Sequence, residues 1–123
     1  MSRYLLVLVG AAAGGVARYI VWAAITQRFS GRFPLGTLVV NLTGCFAIGI
    51  LMTLLTERWV ANPQWRLLLV TGVLGGYTTY SSFAWETYQS VREGSPWMGL
   101  IYVMTSVMLG YLAVWSGALL ARR

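Results

Sequence analysis

The chain has 123 residues and a net charge of +6, with 58% hydrophobic and only 10% charged residues. A water-soluble domain carries about 25% charged residues, so this composition indicates a membrane protein instead. The chain has no Asp, Lys or His and a single cysteine, so it lacks the groups that most acid–base, nucleophilic and metal chemistry needs. An enzyme is therefore not expected.

Four apolar segments follow one another, at about 4–25, 35–55, 67–88 and 97–120. Each is close to the roughly 20 residues that a helix needs to cross the hydrocarbon of a bilayer. Pro34, Pro63 and Pro96 stand at or just before segment starts, where a helix tolerates proline. We therefore predict a single all-α, multi-pass transmembrane domain of four helices over residues 1–123.

The nine arginines are scattered, singly except for Arg122-Arg123, and form no basic face. We therefore expect them to meet lipid headgroups and do not expect nucleic acid as a partner. With four spans, one side of the membrane receives five arginines and the other three: Arg3, Arg58, Arg66, Arg122 and Arg123 against Arg28, Arg32 and Arg92. This bias is weak under the positive-inside rule. It permits insertion in both orientations and antiparallel pairing, and a single weakly specified orientation is the alternative.

Small residues spaced four apart occur in three of the segments, as Gly10 with Gly14, Gly72 with Gly76, and Ser106 with Gly110. Such pairs let helix backbones approach closely, although they are common in membrane spans of any function. Because four thin helices enclose little space, we expect the chain to oligomerise.

Polar residues inside the first two segments are candidates for a water-filled path. Arg18 lies about fourteen residues into the first segment and either extends to the interface or places a positive charge in a mouth that attracts anions. Thr37 and Asn41 are one helical turn apart in the second segment. The Asn41 amide either joins helices or donates hydrogen bonds to an anion.

The stretch 71–86, TGVLGGYTTYSSFAWE, combines helix-weakening glycines with hydroxyls and aromatic rings. Gly75 and Gly76, followed by hydroxyl side chains, predict a break near the middle of the third helix. Beyond the break Tyr80 and Phe83 share one helix face. Among the polar residues of the third and fourth segments, the further candidates are Thr78, Thr79, Ser81, Ser82, Glu86, Tyr102 and Ser106. Most are hydrogen-bond donors, which favours an anion pathway.

These residues resemble the Fluc (CrcB) family of small bacterial fluoride channels over essentially the full length of the chain. The resemblance is carried by three motifs: Gly14-Gly15-x-x-Arg18, Gly36-Thr37-Leu38-x-Val40-Asn41-x-x-Gly44, and Thr71-Gly72-x-Leu74-Gly75-Gly76-x-Thr78-Thr79-x-Ser81-x-Phe83-x-x-Glu86. The third motif is the most specific, because its glycine pair, hydroxyls and aromatic spacing all agree.

The resemblance implies an antiparallel, dual-topology homodimer in the bacterial cytoplasmic (inner) membrane, with two pores along the subunit interface that export fluoride passively. It implies a structural Na⁺ on the dimer axis, held by the backbone carbonyls of Gly75 and Thr78 from both subunits. The implied ion pathway contains Arg18, Thr37, Asn41, Thr79, Tyr80, Ser81, Phe83, Glu86, Tyr102 and Ser106.

Tyr80 departs from the pattern, since the family has Phe at this position. A phenyl ring edge is electropositive and faces an anion without a strong hydrogen bond. The tyrosine hydroxyl adds a donor and bulk to a narrow pore, so we predict an intact dimer with slowed fluoride throughput.

Three other functions remain open on the residues alone. A small multidrug or guanidinium-type proton-coupled exporter requires a carboxylate within the membrane, and Glu86, toward one end of the third segment, is the one near a span interior. A fluoride–proton antiporter would differ in architecture and respond to pH. A purely structural membrane subunit would leave the coincidence of donors, aromatics and a helix break unexplained.

Overall fold

The computed structural model describes residues 2–58 and 62–123, all of which are helix or short connector. The helices are α1 (Arg3–Arg28), α2 (Leu35–Thr53), α3 (Pro63–Trp65), α4 (Gly75–Tyr77), α5 (Tyr80–Arg92) and α6 (Pro96–Arg122). Two π-helical segments complete them: Leu54–Arg58 extends α2, and Arg66–Leu74 joins α3 to α4.

Within the described residues, three helices are long and apolar enough to cross a membrane: Arg3–Arg28, Leu35–Glu57 and Pro96–Arg122. They confirm the first, second and fourth predicted spans. The third predicted span, 67–88, is helical in pieces, because a non-helical Thr78–Thr79 step separates α4 from α5. None of these pieces is long enough to cross the hydrocarbon by itself.

The helix starts follow local sequence signals. The Ser2 hydroxyl accepts a hydrogen bond from Leu5 N at 3.2 Å and caps α1. Pro34 immediately precedes α2, and Pro63 and Pro96 occupy the first turns of α3 and α6. Proline is suited there because its missing N–H has no intrahelical partner to lose. The predicted placement of all three prolines is confirmed.

Close glycine contacts join α1 to the helical run 63–77. A Cβ atom added at Gly10 would lie 2.8 Å from Gly72 Cα, and one at Gly14 would overlap the Val73 carbonyl. A Cβ at Gly76 would likewise overlap the Ala11 carbonyl. The predicted role of the first two glycine pairs is confirmed: they let two helix backbones touch.

The second main contact joins α2 to α6. Side chains at Gly49 or Gly117 would overlap backbone carbonyls of the facing helix, those of Val114 and Phe46 respectively. Further along, Gly110 faces Cys45, whose sulfur would be 3.6 Å from an added Cβ. Cys45 therefore serves as a small packing residue.

Large apolar side chains cover the outside of the long helices. Buried residues make up only 17% of the most apolar window of α1 and of α6, and 28% of that of α2. Since a soluble monomer rarely exposes such extended apolar surface, these faces are suited to lipid or to another protein chain.

Candidate functional site

The chain unwinds at Thr78 and Thr79 between α4 and α5. Both residues have extended backbone, with φ/ψ of −79°/155° and −145°/114°. Glycine is a poor helix former and a β-branched residue fits extended backbone well, so the order Gly-Gly-Tyr-Thr-Thr favours a break here. The predicted interruption of the third apolar segment is confirmed.

Helix α5 begins with a side-chain cap. The Thr79 hydroxyl accepts a hydrogen bond from Ser82 N at 3.3 Å and donates one to the Ser82 hydroxyl at 3.0 Å. A threonine that accepts from the third helical residue is a standard N-cap. This arrangement makes Ser82 part of the site, and the Thr-x-x-Ser spacing was the signal that could have found it.

Asn41 of α2 pairs with the unwound backbone. Its side-chain NH₂ donates to the Thr79 carbonyl at 3.0 Å, and its side-chain oxygen accepts from Thr79 N at 2.8 Å. Both hydrogen bonds join residues 38 positions apart in the chain. One of the two amide N–H groups is thereby used, which leaves one donor for a ligand.

The break releases two backbone carbonyls. In a continuous helix, Thr79 N would donate to the Gly75 carbonyl and Ser82 N to the Thr78 carbonyl, four residues earlier in each case. Instead, Thr79 N donates to Asn41 and Ser82 N donates to the Thr79 hydroxyl. The carbonyls of Gly75 and Thr78 are hard oxygen ligands of the kind that small cations prefer.

An open-sided groove of about 450 Å³ runs past the break. Its polar lining consists of four predicted pathway residues together with Gly44, Cys45, Gly75 and Thr78; the four are Asn41, Thr79, Tyr80 and Ser106. Phe83, a fifth predicted pathway residue, also lines the groove, and Ile48, Val70, Leu74 and Val107 form the aliphatic remainder. The structure thus brings together donors from α2, the break and α6 along an otherwise apolar wall.

Aromatic rings form a row from this groove towards α6. The ring centroids of Tyr80 and Phe83 are 5.8 Å apart, those of Phe83 and Tyr102 5.1 Å, and those of Tyr102 and Phe33 5.6 Å. All three pairs are tilted, so that ring edges as well as faces are presented. Phe33, in the first connector, extends the row beyond the predicted residues, and no spacing in the sequence pointed to it.

Glu86 lies one helical turn beyond Phe83 and accepts two hydrogen bonds. Its Oε1 accepts from the Thr37 hydroxyl at 2.6 Å and its Oε2 from the Tyr102 hydroxyl at 2.7 Å. Thr37 and Tyr102 are only 1% and 0% exposed, so the carboxylate satisfies two buried donors. Hydrogen bonds to a charged acceptor are short and strong, and these two fix α2, α5 and α6 relative to each other.

Arg18 lies on the wall of a second cavity, of about 220 Å³, which also borders the break at Thr79. Its other polar lining residues are Tyr19, Trp22, Thr37, Thr79 and Ser82, and Thr79 also lines the groove. The half-buried guanidinium is the cationic group of this cavity. A positive charge beside hydroxyl donors forms an environment that attracts anions.

The predicted pathway residues therefore divide into three neighbouring sets. Asn41, Tyr80, Phe83 and Ser106 line the groove, Arg18 lines the second cavity, and Glu86 joins Thr37 to Tyr102, while Thr79 borders both cavities. Ser81 is exposed and lines neither the groove nor the second cavity. Its role remains a prediction.

Comparison with known proteins decides the family. Residues 5–118 match the family described as "CrcB-like protein, Camphor Resistance (CrcB)". The chain belongs to the CrcB family. The resemblance inferred from its motifs is thereby confirmed.

Curated relatives of this CrcB chain cover it almost completely and are named "Fluoride-specific ion channel FluC". The relative from Solibacter usitatus is 63% identical over 121 residues, which span 98% of this chain and 99% of the relative. That from Roseiflexus sp. is 49% identical over 119 residues, 94% of each chain. That from Acidobacterium capsulatum is 42% identical over 121 residues, 98% of this chain and 97% of the relative.

Proposed function

We propose that this CrcB-family protein is a fluoride-selective ion channel that exports cytoplasmic fluoride passively through a pore built on the groove beside the break. The observation that carries the proposal is the convergence of Asn41, Tyr80, Phe83 and Ser106 on one groove in a chain up to 63% identical to named fluoride channels. The family and the names of its relatives indicate a transport protein and not an enzyme.

Selectivity follows from the size and hydration of the ion. Fluoride is small and strongly hydrated, so a dry path must replace its water with several donors and electropositive ring edges. The free amide N–H of Asn41 and the Ser106 hydroxyl supply donors, and Phe83 supplies a ring edge. Chloride is larger and is excluded by the narrow path and by poorer compensation for its lost water.

A test in cells separates fluoride export from other transport. Bacteria without their own fluoride exporter are loaded with fluoride at mildly acidic pH, with and without this protein. We expect the protein to lower intracellular fluoride, measured with a fluoride electrode after lysis, and to leave intracellular chloride unchanged. Equal fluoride content in both strains would refute fluoride export.

We propose further that two copies form an antiparallel homodimer with two pores, each subunit crossing the inner membrane four times. The groove is open on one side and carries polar groups, which lipid would leave without partners. A second copy would close it, and the weak arginine bias permits both orientations. A single cysteine can be introduced by Ser2→Cys in a Cys45→Ala background. An impermeant maleimide added to one side of the membrane should label about half of the molecules, and the same reagent on the other side should label the other half.

The carbonyls of Gly75 and Thr78 would hold a structural Na⁺ at the dimer axis. Their fit rests on the hydrogen bonds of the break, which leave both oxygens without their helical N–H partners. When bound, the cation would supply positive charge beside carbonyls at the C-terminal end of a helical run, a position that favours a cation. Replacing Na⁺ by N-methylglucamine should therefore lower the thermal stability of the dimer.

A proton-coupled exporter is the second candidate. It would use Glu86 as its membrane carboxylate, but both oxygens of this carboxylate accept hydrogen bonds from buried hydroxyls. This engagement favours a fixed positioning role over exchange between protons and cationic substrates. Transport that follows a pH gradient in liposomes clamped at zero voltage would support the exporter.

A further inference from the structure

The Asn41–Thr79 pair has a consequence for the carbonyl of Gly75. Thr79 N has two alternative acceptors: the Asn41 side-chain oxygen, which it uses at 2.8 Å, and the Gly75 carbonyl, which it would meet if Thr78 changed from its extended ψ of 155° to a helical value. Removal of the Asn41 amide leaves Thr79 N and the Thr79 carbonyl without their partners. Buried backbone groups rarely remain unpaired, so the extended backbone at Thr78 and Thr79 would be driven towards a helical conformation.

Rewinding would withdraw a ligand from a cation. A carbonyl that accepts a backbone N–H has part of its electron density engaged and is directed along the helix axis. The carbonyl of Gly75 is released only while Thr79 N donates elsewhere. The position of Gly75 is itself open, since an added Cβ would meet only Val70 O, at 3.8 Å.

We propose that Asn41 is a positioning residue for the cation site: its amide holds Thr79 out of the helix and so keeps the Gly75 carbonyl available to Na⁺. This inference rests on the sodium site of the proposed function. It gives Asn41 two roles, because the same side chain also lines the groove. Groove and cation site are then linked through one amide.

The Thr79 hydroxyl has a second, weaker effect on the availability of a carbonyl to the cation. It accepts a hydrogen bond from Ser82 N at 3.3 Å, so that this N–H does not need the Thr78 carbonyl as its acceptor. This bond lies within one turn of α5, whereas the Asn41 bonds come from another helix. Loss of the hydroxyl should therefore affect the cation site less than loss of the amide.

The test is a sodium titration of thermal stability. The full chain is purified in detergent, and its melting temperature is followed while NaCl replaces N-methylglucamine chloride at constant ionic strength. The wild type should be stabilised by Na⁺ with a saturating dependence. In Asn41→Leu the midpoint of the titration should rise about tenfold, the factor that corresponds to roughly one lost hydrogen bond.

Ser106→Ala is the matched control. Ser106 lines the same groove but makes no hydrogen bond to the break, so its loss should slow fluoride and leave the sodium midpoint at the wild-type value. A fluoride measurement alone cannot separate the two variants, whereas the sodium midpoint does.

The outcomes distinguish this inference from the proposal it rests on. A sodium-stabilised wild type with an unchanged midpoint in Asn41→Leu overturns the positioning role and leaves the sodium site intact. A wild type that does not respond to Na⁺ overturns the site and the inference together, while fluoride export is judged separately in cells.

If Asn41→Leu gives no folded dimer, the same sodium titration of Thr79→Val tests whether hydrogen bonds at the break control the cation site. Valine is β-branched like threonine and removes only the hydroxyl, so that Ser82 N loses its acceptor and regains one, the Thr78 carbonyl, only if the backbone of residue 79 becomes helical. A several-fold rise in the sodium midpoint supports hydrogen-bond control of the carbonyls. A wild-type midpoint in this folded variant contradicts it.

Discussion

The third and fourth apolar segments have similar glycine contents but different structures. α6 runs unbroken over Pro96–Arg122 although it contains Gly99, Gly110 and Gly117. The third segment contains Gly72, Gly75 and Gly76 and is interrupted directly after them. Glycine alone therefore does not break a helix in this protein.

The difference lies in the hydrogen-bond partners outside the helix. At the break, Asn41 offers both a donor and an acceptor to the backbone of Thr79, and the Thr79 hydroxyl caps α5. In α6, hydroxyls such as that of Thr105 bond to carbonyls of their own helix. A membrane helix can unwind only where its freed backbone groups find other partners.

The largest expected effect comes from removing that partner. Asn41→Leu keeps the side-chain size but loses two hydrogen bonds to Thr79, at roughly 1–3 kcal/mol for each buried group left unpaired. The third segment should become more like the fourth, and fluoride flux from liposomes should fall below detection. Wild-type flux in a folded Asn41→Leu dimer would contradict both the pore assignment and the role of the amide.

Glycine substitutions sharpen the comparison between the two segments. A Cβ at Gly76 would overlap the Ala11 carbonyl of α1, whereas at Gly99 it would meet its nearest neighbours at 3.4 Å. Gly76→Ala should therefore destabilise the protein by about 1–3 kcal/mol, the typical penalty for overpacking. Gly99→Ala, the control in α6, should be close to neutral in the same thermal unfolding measurement. Equal melting temperatures would contradict the tight contact with α1.

Glu86→Gln tests the link between the two segments. The amide keeps the shape but loses the charge, and its NH₂ cannot accept the hydrogen bond that one carboxylate oxygen now receives from a buried hydroxyl. Fluoride flux should fall about tenfold, as expected for the loss of roughly 1.4 kcal/mol. Glu93→Gln, in the exposed connector between α5 and α6, should keep the wild-type rate. A proton-coupled exporter would instead lose its pH dependence in Glu86→Gln.

The smallest effect is expected at Tyr80, whose side chain is 80% exposed at the edge of the groove. Tyr80→Phe removes a donor and some bulk, and we expect a several-fold rise in fluoride flux without a change in stability. An unchanged flux would remove the Tyr80 hydroxyl from the mechanism.

Much of this architecture was predictable from the sequence. Segment length and hydropathy located three spanning helices, proline positions located the starts of α2, α3 and α6, and Gly75-Gly76 with the following hydroxyls located the break. The spacing of Tyr80, Phe83 and Glu86 placed them on one helix face. These features depend on local propensity and helical period, which are properties of the sequence alone.

The partners across helices were not predictable. Asn41 was expected either to join helices or to offer its amide to an anion, and no spacing pointed to Thr79, on which the structure uses one of its N–H groups and its oxygen. Likewise, nothing in the spacing pairs Glu86 with Thr37 and Tyr102, or brings Phe33 against Tyr102. Such contacts depend on how each helix is rotated and how deep it lies relative to its neighbours. Tertiary packing, including the close glycine contacts, sets both, and the spacing of residues within one helix does not.

The most direct test of a selective, passive pore is ion efflux from liposomes that contain the purified protein. With potassium fluoride inside, valinomycin present and no pH gradient, we predict rapid fluoride release, measured with a fluoride electrode, and no chloride release from matched vesicles. Tyr80→Phe should release fluoride at least as fast. Absence of fluoride release from both proteins, or release of both anions at similar rates, would contradict the account.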